Sequence, residues 1–121
     1  HELDAIDYMY SQAQGEPFTF NSITAPLFVN TTWSYLFNWY GKIKYGYLPY
    51  WHGENQIGLP GDNLPPYPLP IHQVFVIIEP SQGIPEDIID KILDKEKYFS
   101  TFNHQKQFGE ITIQNRTRRS L

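Results

Sequence analysis

The sequence contains no cysteine, which excludes disulfide bonds and thiolate metal sites. No hydrophobic run approaches the roughly 18 to 20 apolar residues that a membrane-spanning helix needs, and no signal-peptide pattern stands at the start. Basic residues are few and the net charge is −4, so the basic face that a nucleic-acid partner requires is missing. We therefore expect no nucleic-acid partner, no metal and no cofactor.

Size and composition indicate one folded domain that spans residues 1–121, with 40% hydrophobic and 18% charged residues. A small basic cluster stands near the end of the chain, at Arg116, Arg118 and Arg119. Terminal arginines are usually solvated, and we interpret them so. The chain starts at His1, already inside a helical pattern, and we expect it to be a piece of a longer polypeptide.

Aromatic residues are concentrated in residues 33–51, which hold all three tryptophans and five of the nine tyrosines. Large rings bury much area, whereas the Trp N–H and Tyr O–H groups need water or a hydrogen-bond partner. This segment therefore either anchors the core or faces a sugar, an aromatic ligand or a membrane interface. Helical spacing favours burial of Trp33 and Trp39.

Helical periodicity appears in three places. The apolar positions that carry it are Leu3, Ile6, Met9 and Ala13, then Trp33, Leu36, Phe37 and Tyr40, then Ile88, Ile89, Ile92 and Leu93. Gly15 is expected to end the first helix, and Gly41 or Gly46 the second. Pro85 is expected to open the third.

Strand patterns alternate with these helices. Residues 18–23 alternate as a strand, and residues 74–78 form a continuous apolar run typical of a central strand buried on both faces. A hairpin with its turn at Gly109 is expected at the end, with Phe102, His104, Lys106 and Phe108 on one face of its first arm. The fold class is predicted to be α/β: a small layered sandwich with a mixed sheet of about four strands, three helices and a C-terminal β-hairpin.

Between the second helix and the central strand, residues 49–72 are rich in proline and glycine and show no periodicity. We predict a long irregular loop there. Long loops inside a compact domain are uncommon and are usually functional or mobile.

Four segments together resemble a known domain. They read AIDYMYSQAQGEPFTF (5–20), WSYLFNWYGKIKYGYLP (33–49), VIIEP (76–80) and FGEITIQNR (108–116). They are similar to the C-terminal extracytoplasmic domain of bacterial multi-spanning membrane glycosyltransferases, in the superfamily of protein mannosyltransferases and aminoarabinose transferases. The resemblance covers nearly the whole chain apart from residues 52–70.

The resemblance implies a location on the extracytoplasmic face of the cell membrane, as part of a membrane protein. The partners that it implies are the membrane-embedded part of the same polypeptide and a glycan or lipid-linked sugar. It transfers no catalytic residue, because the catalytic carboxylates of that superfamily lie in a loop between early membrane helices. The parent protein would be a glycosyltransferase, and this chain would not be catalytic alone.

Tyr47, Tyr50 and Trp51 carry the strongest hint of ligand binding in the sequence. Flat aromatic faces stack on sugar rings, and the same rings suit a membrane interface. The alternative is that these rings close the core under the long loop. For Tyr50 and Trp51, in a stretch without periodicity, we leave both alternatives open.

Two further residues are candidates for polar contacts with a ligand. His52 could pair with Glu54, although no nucleophile motif accompanies them and we favour a solvated loop. Glu79 directly follows the predicted central strand, and ligands collect outside the carboxyl ends of strands in α/β sheets. The alternative for Glu79 is a structural one, in which its carboxylate accepts hydrogen bonds from the turn at 81–83.

The function expected from these observations is an accessory, non-catalytic domain of a membrane glycosyltransferase that uses lipid-linked sugars and that shapes the access of the acceptor or glycan. The alternative is a free-standing carbohydrate-binding or protein-interaction module. A small hydrolase built on His52 with Glu54 or Glu79 is disfavoured, because no nucleophile or metal cluster is recognisable.

Overall fold

The computed structural model describes residues 1–23, 31–52, 71–80 and 86–119. Its helices are α1 (Glu2–Ala13), α2 (Thr31–Leu36), a π-helical turn (Phe37–Gly41), α3 (Lys42–Tyr45) and α4 (Glu86–Phe99). Its strands are β1 (Phe18–Ile23), β2 (Tyr50–Trp51), β3 (Gln73–Ile78), β4 (Ser100–Phe108) and β5 (Ile111–Arg118). The segment that runs from α2 through the π turn to α3 is continuous and is called the aromatic helix below.

The five strands form one mixed sheet in the order β2-β1-β3-β5-β4. β1 pairs in parallel with both β2 and β3, whereas β5 pairs antiparallel with β3 and with β4. The prediction of an α/β fold with a mixed sheet, three helices and a closing hairpin is confirmed. The sheet has five strands where about four were predicted. The additional strand is β2, which contains only two residues.

That short strand lies inside the segment predicted as an irregular loop from 49 to 72. Tyr50 and Trp51 pair with Thr19 and Phe20 of β1, so the start of the predicted loop was wrong. A strand of two residues is too short to show an alternating pattern in the sequence. Residues 53–70 lie outside the described part of the chain.

The central strand β3 is buried on both faces, as its continuous apolar run predicted. Phe75 and Ile77 belong to a core that the sheet shares with α1 and the aromatic helix. Val74 and Val76 point to the opposite face and are also fully buried. Helices therefore have to cover both sides of the sheet, and α4 lies on the second side.

Asp7 joins α1 to the aromatic helix. Its carboxylate accepts hydrogen bonds from the hydroxyls of Tyr40 and Tyr45 and forms an ion pair of 3.1 Å with Lys44. Burial alone would raise the pKa of Asp7, but these hydrogen bonds and the Lys44 charge outweigh it and lower the pKa below its usual value. The aromatic helix ends at Gly46, which has φ of 90°, in agreement with one of the two predicted ends.

The hairpin contains a feature that alternation did not predict. The register of β4 against β5 shifts between Phe102 and His104, which marks a β-bulge. Phe102 pairs with Arg116, whereas His104 pairs with Asn115, and these two partners lie on opposite faces of the sheet. The prediction that Phe102 shares a face with His104 was therefore wrong.

The arginines near the end are not a solvated tail, and that interpretation was wrong. Arg116 is buried in β5 and donates from Nε to the Ser100 hydroxyl at 2.7 Å. The Arg118 guanidinium lies over the Phe99 ring, 4.4 Å from its centroid. Arg119 donates to the Lys97 carbonyl at the end of α4. Arg118 and Arg119 thus connect the end of the last strand to α4, whereas Arg116 connects this strand to the start of β4.

Among the described helices, none combines the length and the apolar composition that crossing a membrane would require.

Replacing Ile77 by alanine should lower the free energy of unfolding by about 2–5 kcal/mol, because a fully buried side chain leaves a cavity in a central strand. Ile43→Ala is the matched control, since Ile43 is 77% exposed and its loss should change stability by at most about 0.5 kcal/mol. Urea unfolding measures both. Equal values for the two variants would contradict the central position of β3.

Candidate functional site at the carboxyl edge of the sheet

The three parallel strands end at one edge of the sheet, and two predicted site residues follow them there. His52 comes directly after β2, and Glu79 comes directly after β3. Their backbone amides continue the parallel ladder, since His52 N–H donates to the Phe20 carbonyl and Glu79 N–H to the Ile23 carbonyl. In sheets of this kind ligands collect outside the carboxyl ends of the strands.

The direction of the connections also favours a binding site at the carboxyl ends of these strands. From β1 the chain passes through the aromatic helix, on the side of α1, to β2. From β3 it passes through α4, on the opposite side, to β4 at the far edge. The chain therefore diverges between β1 and β3, which is where a crevice forms in open α/β sheets.

Glu79 follows β3 at this end of the sheet and binds the start of the aromatic helix. Its Oε1 accepts a hydrogen bond of 2.7 Å from Trp33 Nε1. Burial raises the pKa of Glu79, the Trp33 hydrogen bond opposes the rise, and the nearby charge of Glu2 adds to it, so the pKa lies above its usual value. The turn at 81–83, the expected partner of this carboxylate, lies outside the described residues.

A cleft of about 490 Å³ opens beside Glu79. The residues around it are His1, Glu2, Glu79, Pro80, Phe108, Gly109, Glu110 and Ile111. Its three carboxylates suit hydrogen-bond donors such as hydroxyl or ammonium groups. Across the described ranges, no group of three or more histidine, cysteine or carboxylate side chains is arranged to hold a metal ion.

His52 lies on the other face of the sheet and pairs with a carboxylate that the sequence did not suggest. Its Nε2 is 2.9 Å from Glu96 Oε1, and both side chains are at most 4% exposed. Asn21 donates to the same oxygen at 3.0 Å. Glu54, the partner considered from the sequence, lies outside the described residues, so that pairing stays a prediction.

The environment of Glu96 explains why it remains ionised in the interior. Burial by itself would raise its pKa, but the hydrogen bond and charge of His52, the hydrogen bond of Asn21 and the charge of Arg116 together lower it below the usual value of 4.5. The His52 ring also stacks on Phe99 at 5.2 Å. These contacts fasten α4 onto β1 and the end of β2.

The His52–Glu96 pair is therefore structural in this arrangement rather than a catalytic dyad. A general base must reach the proton that it abstracts, and these side chains are closed off from solvent. Within the described ranges, no hydrogen bond joins His52 to a serine or threonine hydroxyl. Among the described residues, His52 Nδ1 and Glu96 Oε2 are buried without a hydrogen-bond partner.

The aromatic residues predicted to bind a ligand are unequal in exposure. Trp51 is only 5% exposed and packs edge-on against Phe20. Tyr47 is partly buried on Tyr10 and donates its hydroxyl to the Glu16 carbonyl at 3.0 Å. Tyr50 is partly buried in β2. Trp51 thus belongs to the core, and ring surface for a ligand remains only on the two tyrosines.

In the described part of the chain, the most exposed pair of stacked aromatic rings lies elsewhere, on the outer face of the aromatic helix. Trp39 was expected to be buried, but it is 52% exposed and stacks on Tyr35, with 6.1 Å between ring centroids. Ile43 continues the same face. The expectation was wrong because Trp33 and Phe37 take the buried side of the helix. The spacing of Tyr35, Trp39 and Ile43, each four residues apart, is the signal that could have identified this face.

Comparisons of the chain with protein-family models, curated proteins and solved structures gave no significant match.

Replacing Glu96 by glutamine should destabilise the protein by about 1–3 kcal/mol at neutral pH, because a neutral amide makes weaker hydrogen bonds to the buried His52 and Asn21 side chains than the carboxylate does. The lowered pKa of Glu96 adds stability above about pH 4.5 that is lost as the pH falls through the value in the folded protein. E96Q should therefore show a smaller loss of stability between pH 7 and pH 3 than the native chain.

Urea unfolding at a series of pH values measures this difference. Glu110→Gln, at the exposed turn of the hairpin, serves as the control and should follow the native curve. If E96Q and the native chain unfold at the same midpoint concentration of urea at neutral pH, the His52–Glu96 pair does not hold α4 on the sheet.

Proposed function

We propose that this chain is an accessory, non-catalytic extracytoplasmic domain of a bacterial membrane glycosyltransferase that uses lipid-linked sugars. Its task is to position the acceptor or glycan while the membrane-embedded part of the same polypeptide carries out the transfer. The resemblance of residues 33–49 and three further segments to such domains supports this proposal. The resemblance implies a first helix that leaves the last membrane span and is followed by a strand, and α1 followed by β1 has this order.

The observation that carries the proposal is the exposed face formed by Tyr35, Trp39 and Ile43. Stacked Tyr and Trp rings combine a large apolar surface with a polar edge, and such rings are enriched where proteins meet the membrane–water interface. Lys42, beside Ile43, is exposed and adds a cation of the kind that anionic headgroups attract. We infer that this face rests on the interface beside the membrane-embedded part.

The burial of His52 and Glu96 supports a role without catalysis. His52, the histidine for which hydrolysis was considered, is enclosed between α4 and the sheet in the described structure, where it pairs with Glu96. What the surface offers instead is aromatic rings and polar clefts, which suit binding and positioning.

The proposal predicts that Tyr35→Ala combined with Trp39→Ala lowers glycosyl transfer several-fold in the whole natural polypeptide. The amount of protein and its membrane fraction should be unchanged, because both rings are about half exposed and contribute little to folding. Transfer is measured in membrane vesicles with a polyprenyl-linked sugar donor. Tyr98→Ala is the matched control, since Tyr98 is 89% exposed on α4, away from the aromatic helix.

A second measurement tests the location. Protease added to intact spheroplasts should cleave this domain without permeabilisation. The proposal is contradicted if the double variant transfers sugar at the rate of the native polypeptide. It is also contradicted if the protease cleaves the domain only after permeabilisation. A gene product that carries no membrane part would favour a free-standing binding module.

A further inference from the structure

A polar groove of about 410 Å³ lies between α4 and the hairpin, on the face of the sheet opposite α1. Four residues of α4 form one wall, at the i, i+3, i+4 and i+7 positions that share a helix face. They are Asp90, Leu93, Asp94 and Lys97. Asp90 and Asp94 thus line this wall of the groove with carboxylates.

The floor of the groove is formed by Phe102, Gln114 and Arg116. The β-bulge after Phe102 turns this ring toward α4 instead of toward α1. Phe102 is 47% exposed, so much of the ring remains open to a ligand.

Arg116 gives the floor a rigid donor. Its Nε and Nη2 donate to the hydroxyl and the carbonyl of Ser100, and its Nη1 donates to Gln114 Oε1 at 2.8 Å. Its guanidinium also lies 5.9 Å from the centre of the Phe102 ring. The side chain is therefore fixed before any ligand arrives, and fixed donors lower the entropy cost of binding.

The charges of the groove balance. Two carboxylates, Asp90 and Asp94, face one ammonium and one guanidinium, from Lys97 and Arg116. Lys97 lies 3.5 Å from Asp94. A phosphate would meet both aspartates, and a simple cation would meet Lys97 and Arg116, so neither ion is favoured. A neutral ligand that carries many hydroxyl groups satisfies both signs at once.

We propose that this groove binds one pyranose ring of a neutral glycan. The apolar face of the sugar stacks on Phe102, while its hydroxyls donate to Asp90 and Asp94 and accept from Arg116. The choice of a sugar as ligand rests on the proposed function, and the groove supplies the geometry and the charge balance. The groove would then be where the domain holds the glycan that it positions.

The test uses the isotope-labelled chain and titration followed by two-dimensional NMR. The probes are methyl α-mannopyranoside, methyl β-glucopyranoside and methyl α-galactopyranoside, with glycerol and inorganic phosphate as controls. At least one glycoside should move the amide signals of Phe102, Gln114 and the facing turn of α4 in a saturable manner, whereas the controls should not.

Variants separate the groove from the rest of the surface. Phe102→Ala should weaken glycoside binding at least about fivefold, which corresponds to about 1 kcal/mol. Phe102→Tyr should retain binding because the platform is kept. Asp90→Asn with Asp94→Asn should weaken binding without moving the signals of the core, and Tyr98→Ala should bind as the native chain does.

The inference is overturned if no glycoside moves the groove signals, or if the shifts map to Tyr35 and Trp39 instead. Equal binding by Phe102→Ala and Tyr98→Ala would overturn it as well. The dispersion of the NMR spectrum shows whether each variant is folded. Saturable groove binding by a chain that fails the transfer and protease tests would refute the membrane role and leave the sugar site standing.

Discussion

The rest of the structure depends on one constraint, that β3 is buried on both faces. A strand whose alternate side chains, Val74 with Val76 and Phe75 with Ile77, all avoid water requires a layer on each side of the sheet. α1 and the aromatic helix form the first layer, and α4 forms the second. The position of α4 against the hairpin opens the groove at Phe102.

The two layers achieve their contacts by different chemistry. On the side of α1 the core is aromatic, with rings from Tyr10, Phe18, Phe37 and Phe75 in edge-on or tilted contacts. On the side of α4 the helix is held by polar groups, chiefly the buried pair of Glu96 with His52. The aromatic side thus supplies most of the apolar burial, whereas the polar side leaves oriented charged groups near the surface, where a ligand can reach them.

Local patterns were sufficient to predict much of the fold. The continuous apolar run of β3, the helical spacing in α1 and the turn at Gly109 each report on neighbours in the sequence, and each was confirmed. β2 was missed because two residues cannot show a period. Exposure of Trp39 was missed because several aromatic residues competed for one buried helix face.

The site was predictable only in part, because its contacts join distant residues. Glu79 was identified from its position after the central strand and His52 as a possible partner of Glu54, but the partner that the structure shows for His52 is 44 residues away on α4. Sequence spacing carries no signal for such a pair. Phe102 and Arg116 face α4 together only because a single bulged residue inverts the alternation of β4, and the composition of the strand does not specify where a bulge occurs.

The two edges of the sheet differ in what they offer to another polypeptide. β2, at one edge, has two residues and therefore few main-chain groups with which an incoming strand could pair. β4, at the other edge, has nine residues, most of them exposed and polar, and its bulge interrupts the regular row of amides and carbonyls. Both edges thus resist the addition of a strand. Association of this domain with another molecule is accordingly directed to side chains on its faces, and it avoids the strand-to-strand growth by which β-sheet proteins aggregate.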